Sequence, residues 1–283
     1  MPSVAEYVFA GAERLRRGPH ANRALQDAEF LLMHVLGKDR AWMLAYWREE
    51  INTDYSLPYH GAIERRRAGE PIQYITGEAE FYGLPFHVDP GVLIPRPETE
   101  LAVEKALEHA AGFARPRIVD VGTGSGAIAV ALTHHLPDAA VTAIDLSAAA
   151  LEAARGNAAR NGVADRVRFL EGDLLKPVAE ETFEIVVSNP PYVRETDRAS
   201  LDVEVREFEP ALALFAGEDG MAVYRRLIPQ AFCALVSGGF LVLEIGFGQE
   251  QGVRALLEIA GFREIAFTAD LQGIPRVASA MRH

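Results

Sequence analysis

Apolar positions along this chain change their spacing near residue 70, and the change divides it. From Val4 to about Gly69 they recur at helical intervals among Ala, Leu, Arg and Glu, as at Ala28, Leu31, Leu32 and Val35, which predicts a small helical domain. Pro71, Gly77, Gly83, Pro85, Pro90 and Gly91 then punctuate an aromatic stretch, Glu80-Phe81-Tyr82-Gly83-Leu84-Pro85-Phe86-His87-Val88, that predicts a hairpin or extended connector. Further on, short apolar runs alternate with helical patterns. A helical pattern begins at Glu98; helices are expected at 127–136, 148–161, 220–235 and 249–260, and strands at 117–122, 140–146, 167–171, 183–188, 240–245, 265–268 and 277–281. Alternation of this kind implies an α/β fold whose sheet is largely parallel with right-handed crossovers, here seven-stranded. The expected domains are therefore helical over 1–76, a connector over 77–95 and α/β over 96–283.

Composition narrows the class. A chain of 283 residues buries a substantial core, and its net charge of -12 argues against an extended charge-driven grip on phosphate backbones. No stable nucleic-acid binding is expected. The lone Cys233 sits in an apolar stretch, which excludes an intrachain disulfide and a cysteine-rich zinc site and reads as a small buried hydrophobe. Glu6 and Glu13 interrupt the amino-terminal apolar residues, and Ser237, paired glycines and Glu244 break the run near Phe232 to Gly248. A cytoplasmic protein without a membrane span follows.

The first strand ends in Gly122-Thr123-Gly124-Ser125-Gly126. Glycine directly after a strand lets the backbone turn sharply against a ligand, and the following helix offers unpaired amide donors. The spacing is Gly-x-Gly-x-Gly, with Ala127 where the dinucleotide fingerprint has its third glycine, and no phosphate-loop Lys-Ser/Thr pair follows. Asp145 ends the next strand, where its carboxylate can accept from both hydroxyls of a ribose. Asp173 follows the third, placed to accept an adenine amino proton while Leu174 packs on the ring, and Asp120 adds an acidic group beside the first turn that favours a cationic amino-acid end. Taken singly, such residues also serve as turns and helix caps. Their order over three strand ends points to a nucleoside pocket, and S-adenosylmethionine fits it better than a phosphate cofactor.

Asn189-Pro190-Pro191-Tyr192 follows the strand expected at 183–188. In an arbitrary protein this is a rigid strand-stopping turn. Beside a methyl-donor pocket it reads as a receptor for a planar nitrogen: the Asn189 side-chain oxygen and the Pro190 carbonyl accept two N–H bonds, both prolines keep them rigid, and Tyr192 stacks on one face. No Ser-His-Asp set or metal-binding His pair accompanies it, and His134-His135 reads as surface. The 193–214 segment reads as a substrate lip or lid.

Four blocks, Gly91-Val92-Leu93-Ile94-Pro95-Arg96-Pro97-Glu98-Thr99-Glu100, Val119 to Ala129, Ser188 to Tyr192 and Leu243-Glu244-Ile245-Gly246, resemble the release factor glutamine methyltransferase family over nearly the whole chain. The resemblance implies a class I methyltransferase, Rossmann-like, with a small N-terminal helical domain that helps to recognise the protein substrate. It implies methylation of the glutamine amide in the Gly-Gly-Gln motif of peptide chain release factors, with S-adenosylhomocysteine as product and a role in translation termination. Asn189, Pro190 and Tyr192 are then catalytic, with Pro191 completing the substrate site; Asp120, Gly122, Thr123, Gly124, Ser125, Gly126, Asp145, Asp173, Leu174 and Asn189 hold the cofactor, and no metal is required. Some relatives carry tryptophan where this chain has Leu174. Arg96 and Glu98 either contact substrate or pair with each other across the domain junction. Glutamine methylation of a ribosomal protein, adenine amino-group methylation of DNA or RNA, and a binding-only sensor of the cofactor are the competing readings.

Overall fold

The computed structural model describes residues Met1–His283. In chain order its elements are α1 (Val4–Leu15), α2 (Ala24–Leu36), α3 (Arg40–Ala45), α4 (Ser56–Arg67), α5 (Ile72–Thr76), the hairpin β1 (Glu78–Phe81) and β2 (Leu84–His87), then α6 (Glu100–Ala110), β3 (Arg117–Val121), α7 (Ala127–His135), β4 (Ala140–Asp145) and α8 (Ala148–Arg160). They continue with β5 (Val167–Glu171), β6 (Phe183–Ser188), α9 (Val203–Phe208), α10 (Ala211–Leu214), α11 (Ala222–Ala234), β7 (Leu235–Glu244), α12 (Glu250–Ala260), β8 (Arg263–Ala269) and β9 (Pro275–Met281). Two compact units result: Met1–Gly77 with Leu201–Phe208, and Glu78–Ser200 with Glu209–His283.

In the helical unit, Ser3 starts α1 with a reciprocal cap: its hydroxyl accepts from the Glu6 N–H, and Glu6 accepts from the Ser3 N–H. Val8, Leu31, Leu32, Tyr59 and Ile63 form the core between α1, α2 and α4. Gly11 permits that approach, since a Cβ there would stand 2.2 Å from the Tyr59 hydroxyl, which itself donates to the Ala28 carbonyl. One charged side chain is enclosed with them. Arg66 of α4 donates from Nε to Asp27 at 2.6 Å and from Nη1 to Glu204 of α9 at 2.8 Å and to the Glu70 carbonyl at 2.9 Å. This network, with Gly69 packed on Val203, is why Leu201–Phe208 folds with the helical unit and not with the 96–283 region in which the linear reading places it.

The second unit is built on a seven-stranded sheet of order β5-β4-β3-β6-β7-β9-β8, in which β9 alone runs antiparallel to its neighbours. Successive residues of β3 face opposite layers: Ile118 packs with Val130, Val141 and Ile185, and Val119 with Val186, Leu227 and Leu241. Because the chain leaves β3 toward β4 on one side and β6 pairs on the other, a crevice opens at the carboxyl ends of these three strands. Register fixes what stands there. Asp120 pairs with Ala143 on β4 and with Val187 on β6, so Gly122, Asp145 and Asn189 emerge side by side.

The hairpin belongs to this unit. Phe81 and Phe86 enter its core, and the fully buried Asn157 of α8 accepts from the His87 N–H while donating to the His87 and Ser125 carbonyls. Asn157 thereby fastens the hairpin to the glycine turn. β7 begins at Leu235, earlier than its apolar pattern suggests, because Gly238 takes a left-handed φ of 79° that loops the backbone out before Phe240 resumes the ladder. Cys233 is exposed and not buried as its apolar neighbours suggest: α11 turns its buried stripe through Leu227, Ile228, Ala231 and Ala234. No helix is long and apolar enough to cross a membrane.

Candidate active site

A cavity of about 240 Å³ occupies the crevice, lined among others by Gly122, Gly124, Asp145, Asp173, Leu174 and Asn189. Gly122 and Gly124 have positive φ, and nothing stands within 4 Å of where a Cβ would be on either, so their bare backbone faces open space. Gly126 serves packing instead: a Cβ there would lie 3.0–3.1 Å from Cβ and Cα of Ala154. Thr123 and Ser125, expected beside the cofactor, turn inward; the Thr123 hydroxyl donates to Asp120 and the Ser125 carbonyl accepts from Asn157.

Asp120 also departs from its expected role. It is fully buried under the turn, with Oδ2 accepting from the Thr123 hydroxyl at 2.6 Å and the Ala129 N–H at 3.1 Å, and it does not line the cavity. Burial pushes its carboxyl up to about 7, against the pull of those two donors. The side chain pins the glycine turn to α7 from beneath through Oδ2, while Oδ1 is buried without a hydrogen-bond partner. Asp145 lines the cavity. Its Oδ2 accepts the Gly124 N–H at 2.8 Å and Oδ1 the Ser147 N–H at 2.9 Å, which fixes the carboxylate at the cavity.

Asp173 lines the cavity too, but its carboxylate is clasped by Arg226 of α11 at 2.6 and 2.7 Å and by Lys176 at 2.7 Å. The Arg226 guanidinium, then Lys176, hold it below the ordinary carboxylate range. An adenine amino group would share this carboxylate with two cations. Leu174 keeps a left-handed φ of 54°, unusual for a leucine, and thereby puts its side chain on the cavity wall. Pro210, Leu212 and Ala213, from the far end of the 193–214 segment, and Phe215 just after it also line the cavity, and Arg198 covers the Phe215 ring at 3.8 Å from its centroid.

Of the tetrapeptide after β6, Asn189 and Pro191 line the cavity, whereas Pro190 is buried and Tyr192 packs toward the core. The Asn189 Nδ2 donates to Thr99 Oγ1 at 3.0 Å, and Thr99 donates to Glu244 Oε2 at 2.6 Å. Tyr192 donates its hydroxyl to the other oxygen of Glu244 at 3.1 Å, and its carbonyl accepts from Gln249. Glu244 is 2% exposed, and burial pushes it up to about 7, opposed by the Thr99 and Tyr192 hydroxyls. Arg96 does not pair with Glu98; it binds the buried Glu209 at 2.6 Å, 113 residues on.

Residues 98–213 match the family model of the methyltransferase small domain, and residues 10–77 that of the PrmC N-terminal domain. The release factor glutamine methyltransferase of Deinococcus radiodurans is 45% identical over 256 residues, 90% of each chain, and that of Koribacter versatilis 44% identical over 252 residues, 89% of each. The chain belongs to the release factor glutamine methyltransferase family. Its fold is also that of solved methyltransferases with little sequence in common. One from Pyrococcus furiosus aligns with a TM-score of 0.51 at 17% identity, covering 82% of this chain and 99% of that one. The hMettl16 catalytic domain, in complex with the MAT2A 3'UTR hairpin 6, aligns with a TM-score of 0.58 at 16% identity, covering 83% of this chain and 87% of that one.

In this member of the family, the side chains that the linear reading does not single out for the site are Thr99, Glu244, Arg226 and Asn157. Thr99 and Glu244 lie inside two of the four blocks that carry the resemblance, but nothing in either block says that they meet.

Proposed function

We propose that the protein methylates the side-chain amide nitrogen of the glutamine in the Gly-Gly-Gln motif of peptide chain release factors, using S-adenosylmethionine. The observation that carries this reading is the cavity shared by Gly122, Gly124, Asp145 and Leu174 with Asn189, whose Nδ2 is already used inside the protein. Its Oδ1 is the acceptor left for a substrate N–H. Asp145 accepts the ribose hydroxyls, the bare turn at Gly122 and Gly124 admits the amino-acid end, and Leu174 and Phe215 close on the adenine. When bound, S-adenosylmethionine supplies a methyl group on a sulfonium that is already activated.

An amide nitrogen is a weak nucleophile because its lone pair is delocalised, so placement outweighs basicity here. Asn189 Oδ1 and the Pro190 carbonyl accept from the two N–H groups, hold them in one plane and favour positive character developing on nitrogen, and the substrate nitrogen then loses its extra proton to water. Pro191 shapes the wall around that plane, and Tyr192 supports it from the core side through its bond to Glu244. The helical unit recognises the release factor, and the enzyme works in the cytoplasm beside the translation machinery.

Transfer of label from S-adenosylmethionine tests the reading. Label on an intact release factor, absent on its Gln→Ala variant, is expected; label on ribosomal proteins or adenine-containing DNA in its place, or cofactor binding with no transfer, would overturn it. Asp145→Ala is expected to weaken S-adenosylmethionine binding by at least about 10²-fold by calorimetry, since it removes two hydrogen bonds to a charged acceptor. Binding within twofold of wild type would remove Asp145 from the cofactor site.

A further inference from the structure

An Asn side chain presents nearly the same shape with its oxygen or its nitrogen outward, so shape alone does not decide what Asn189 offers to a ligand. Hydrogen-bond polarity does. Thr99 is 4% exposed, and its hydroxyl owns one proton and touches two polar groups, Glu244 Oε2 at 2.6 Å and Asn189 Nδ2 at 3.0 Å. An ionised carboxylate only accepts, so the Thr99 proton goes to Glu244 and the Thr99 lone pair receives the Asn189 N–H. The amide nitrogen is thereby turned inward and Oδ1 outward.

We propose that Thr99 and Glu244 are positioning residues that impose one direction on this hydrogen-bond chain and so hold Asn189 with its acceptor toward the cavity. The inference rests on the amide-methylation reading above, because a substrate NH₂ group needs acceptors and would be repelled by an Asn that presented its own. Tyr192 completes the arrangement by occupying the second oxygen of Glu244, which leaves the carboxylate fixed at both ends.

Protonation of Glu244 undoes the direction. A carboxylic acid can donate to Thr99, freeing the Thr99 proton for Asn189 Oδ1 and turning the amide around. The groups facing Glu244 are the hydroxyls of Thr99 and Tyr192, the Glu98 carboxylate, which opposes its ionisation, and Arg276, which favours it; Tyr224 donates to its main-chain oxygen. Arg96 lies near Tyr192 and is held by Glu209. With burial setting Glu244 near 7, turnover should rise with pH through that value and level off above it.

The test uses the full chain, S-adenosylmethionine and a release factor, with thermal melts to verify folding. Thr99→Val keeps the shape and removes the hydroxyl; kcat is expected to fall about 10²-fold while the cofactor Kd stays within about twofold. Thr99→Ser restores the hydroxyl and should recover kcat to within about threefold of wild type. Glu244→Gln should flatten the acid limb of the kcat profile, measured at saturating cofactor so that the other buried carboxyl, Asp120 under the glycine turn, does not contribute through binding. Selective ¹⁵N labelling of Asn, with Asn189→Ala to assign the signal, should show the Asn189 Nδ2 protons shifted by Thr99→Val and not by Thr99→Ser.

Wild-type turnover in Thr99→Val, an acid limb that survives Glu244→Gln, or an Asn189 amide signal unchanged by Thr99→Val would each overturn the proposal. If wild type itself transfers no label to the release factor, the functional reading fails. The amide signal still decides the hydrogen-bond chain in that case.

Discussion

Asn189→Ala should lower kcat for release factor methylation by about 10³-fold while cofactor affinity changes by less than about threefold, because it deletes an acceptor aimed at the reacting amide and little else. The fold should tolerate the change. Asn189 makes one side-chain hydrogen bond, to Thr99, and Thr99 keeps its bond to Glu244 without it, so the loss in stability is about 1 kcal/mol. Asn189→Asp is the informative companion: a carboxylate facing Thr99 finds no proton there, because Thr99 has given its own to Glu244. It should lose turnover as severely as Ala. Rapid-quench turnover with cofactor calorimetry separates the outcomes, and equal losses of binding and turnover would show that Asn189 holds the cofactor and not the substrate.

Arg66→Met is expected to destabilise the helical unit by about 3–5 kcal/mol, the range for breaking a buried ion pair from one side. Two carboxylates depend on this guanidinium. Asp27, with 3% of its side chain exposed, and Glu204 would both be left without their principal partner. Arg66→Lys should rescue little, since one ammonium cannot reproduce donors that leave the guanidinium in separate directions toward Asp27, Glu204 and the Glu70 carbonyl. Burial raises the Glu204 carboxyl, but the hydrogen bond and charge of Arg66 outweigh it and hold it below the ordinary carboxylate range. A depressed carboxyl stabilises the folded state above its unfolded value, and that stabilisation is lost as pH falls through the folded value. Hydrogen exchange should therefore report faster opening of α4 and of Leu201–Phe208 together; exchange confined to α4 would break the proposed link.

These two residues differ in how visible they are beforehand. Asn189 announces itself, because an Asn followed by two prolines and an aromatic ring at a strand end is a local pattern, and local backbone constraint is what a linear reading detects well. Arg66 does not: it stands in a run of three arginines on α4, and nothing in that run says that the middle one is enclosed. The glycine turn lies between these cases. Its spacing marks the place, but only packing separates Gly122 and Gly124, which face open space, from Gly126, which is held against Ala154. Asp120 and Asp145 look equivalent as strand-end acids. Both lie on one face of the sheet, but Asp120 pairs with Ala143, two residues short of Asp145, so it is buried beneath the turn against α7 while Asp145 stands at the cavity.

The alternation of strands and helices, the seven-stranded sheet, the glycine turn and the tetrapeptide after β6 are written locally in the chain, since each depends on periodicity or on backbone freedom within a few residues. Tertiary structure decided the polarity of the site. Thr99 and Glu244 are separated by 145 residues, Asn189 and Thr99 by 90, and Asp173 and Arg226 by 53. Which side chain gives its proton to which depends on a register that brings distant strand ends within hydrogen-bond reach. No local pattern carries that information, because a hydrogen bond falls off within an ångström while the chain that closes it runs through half the molecule.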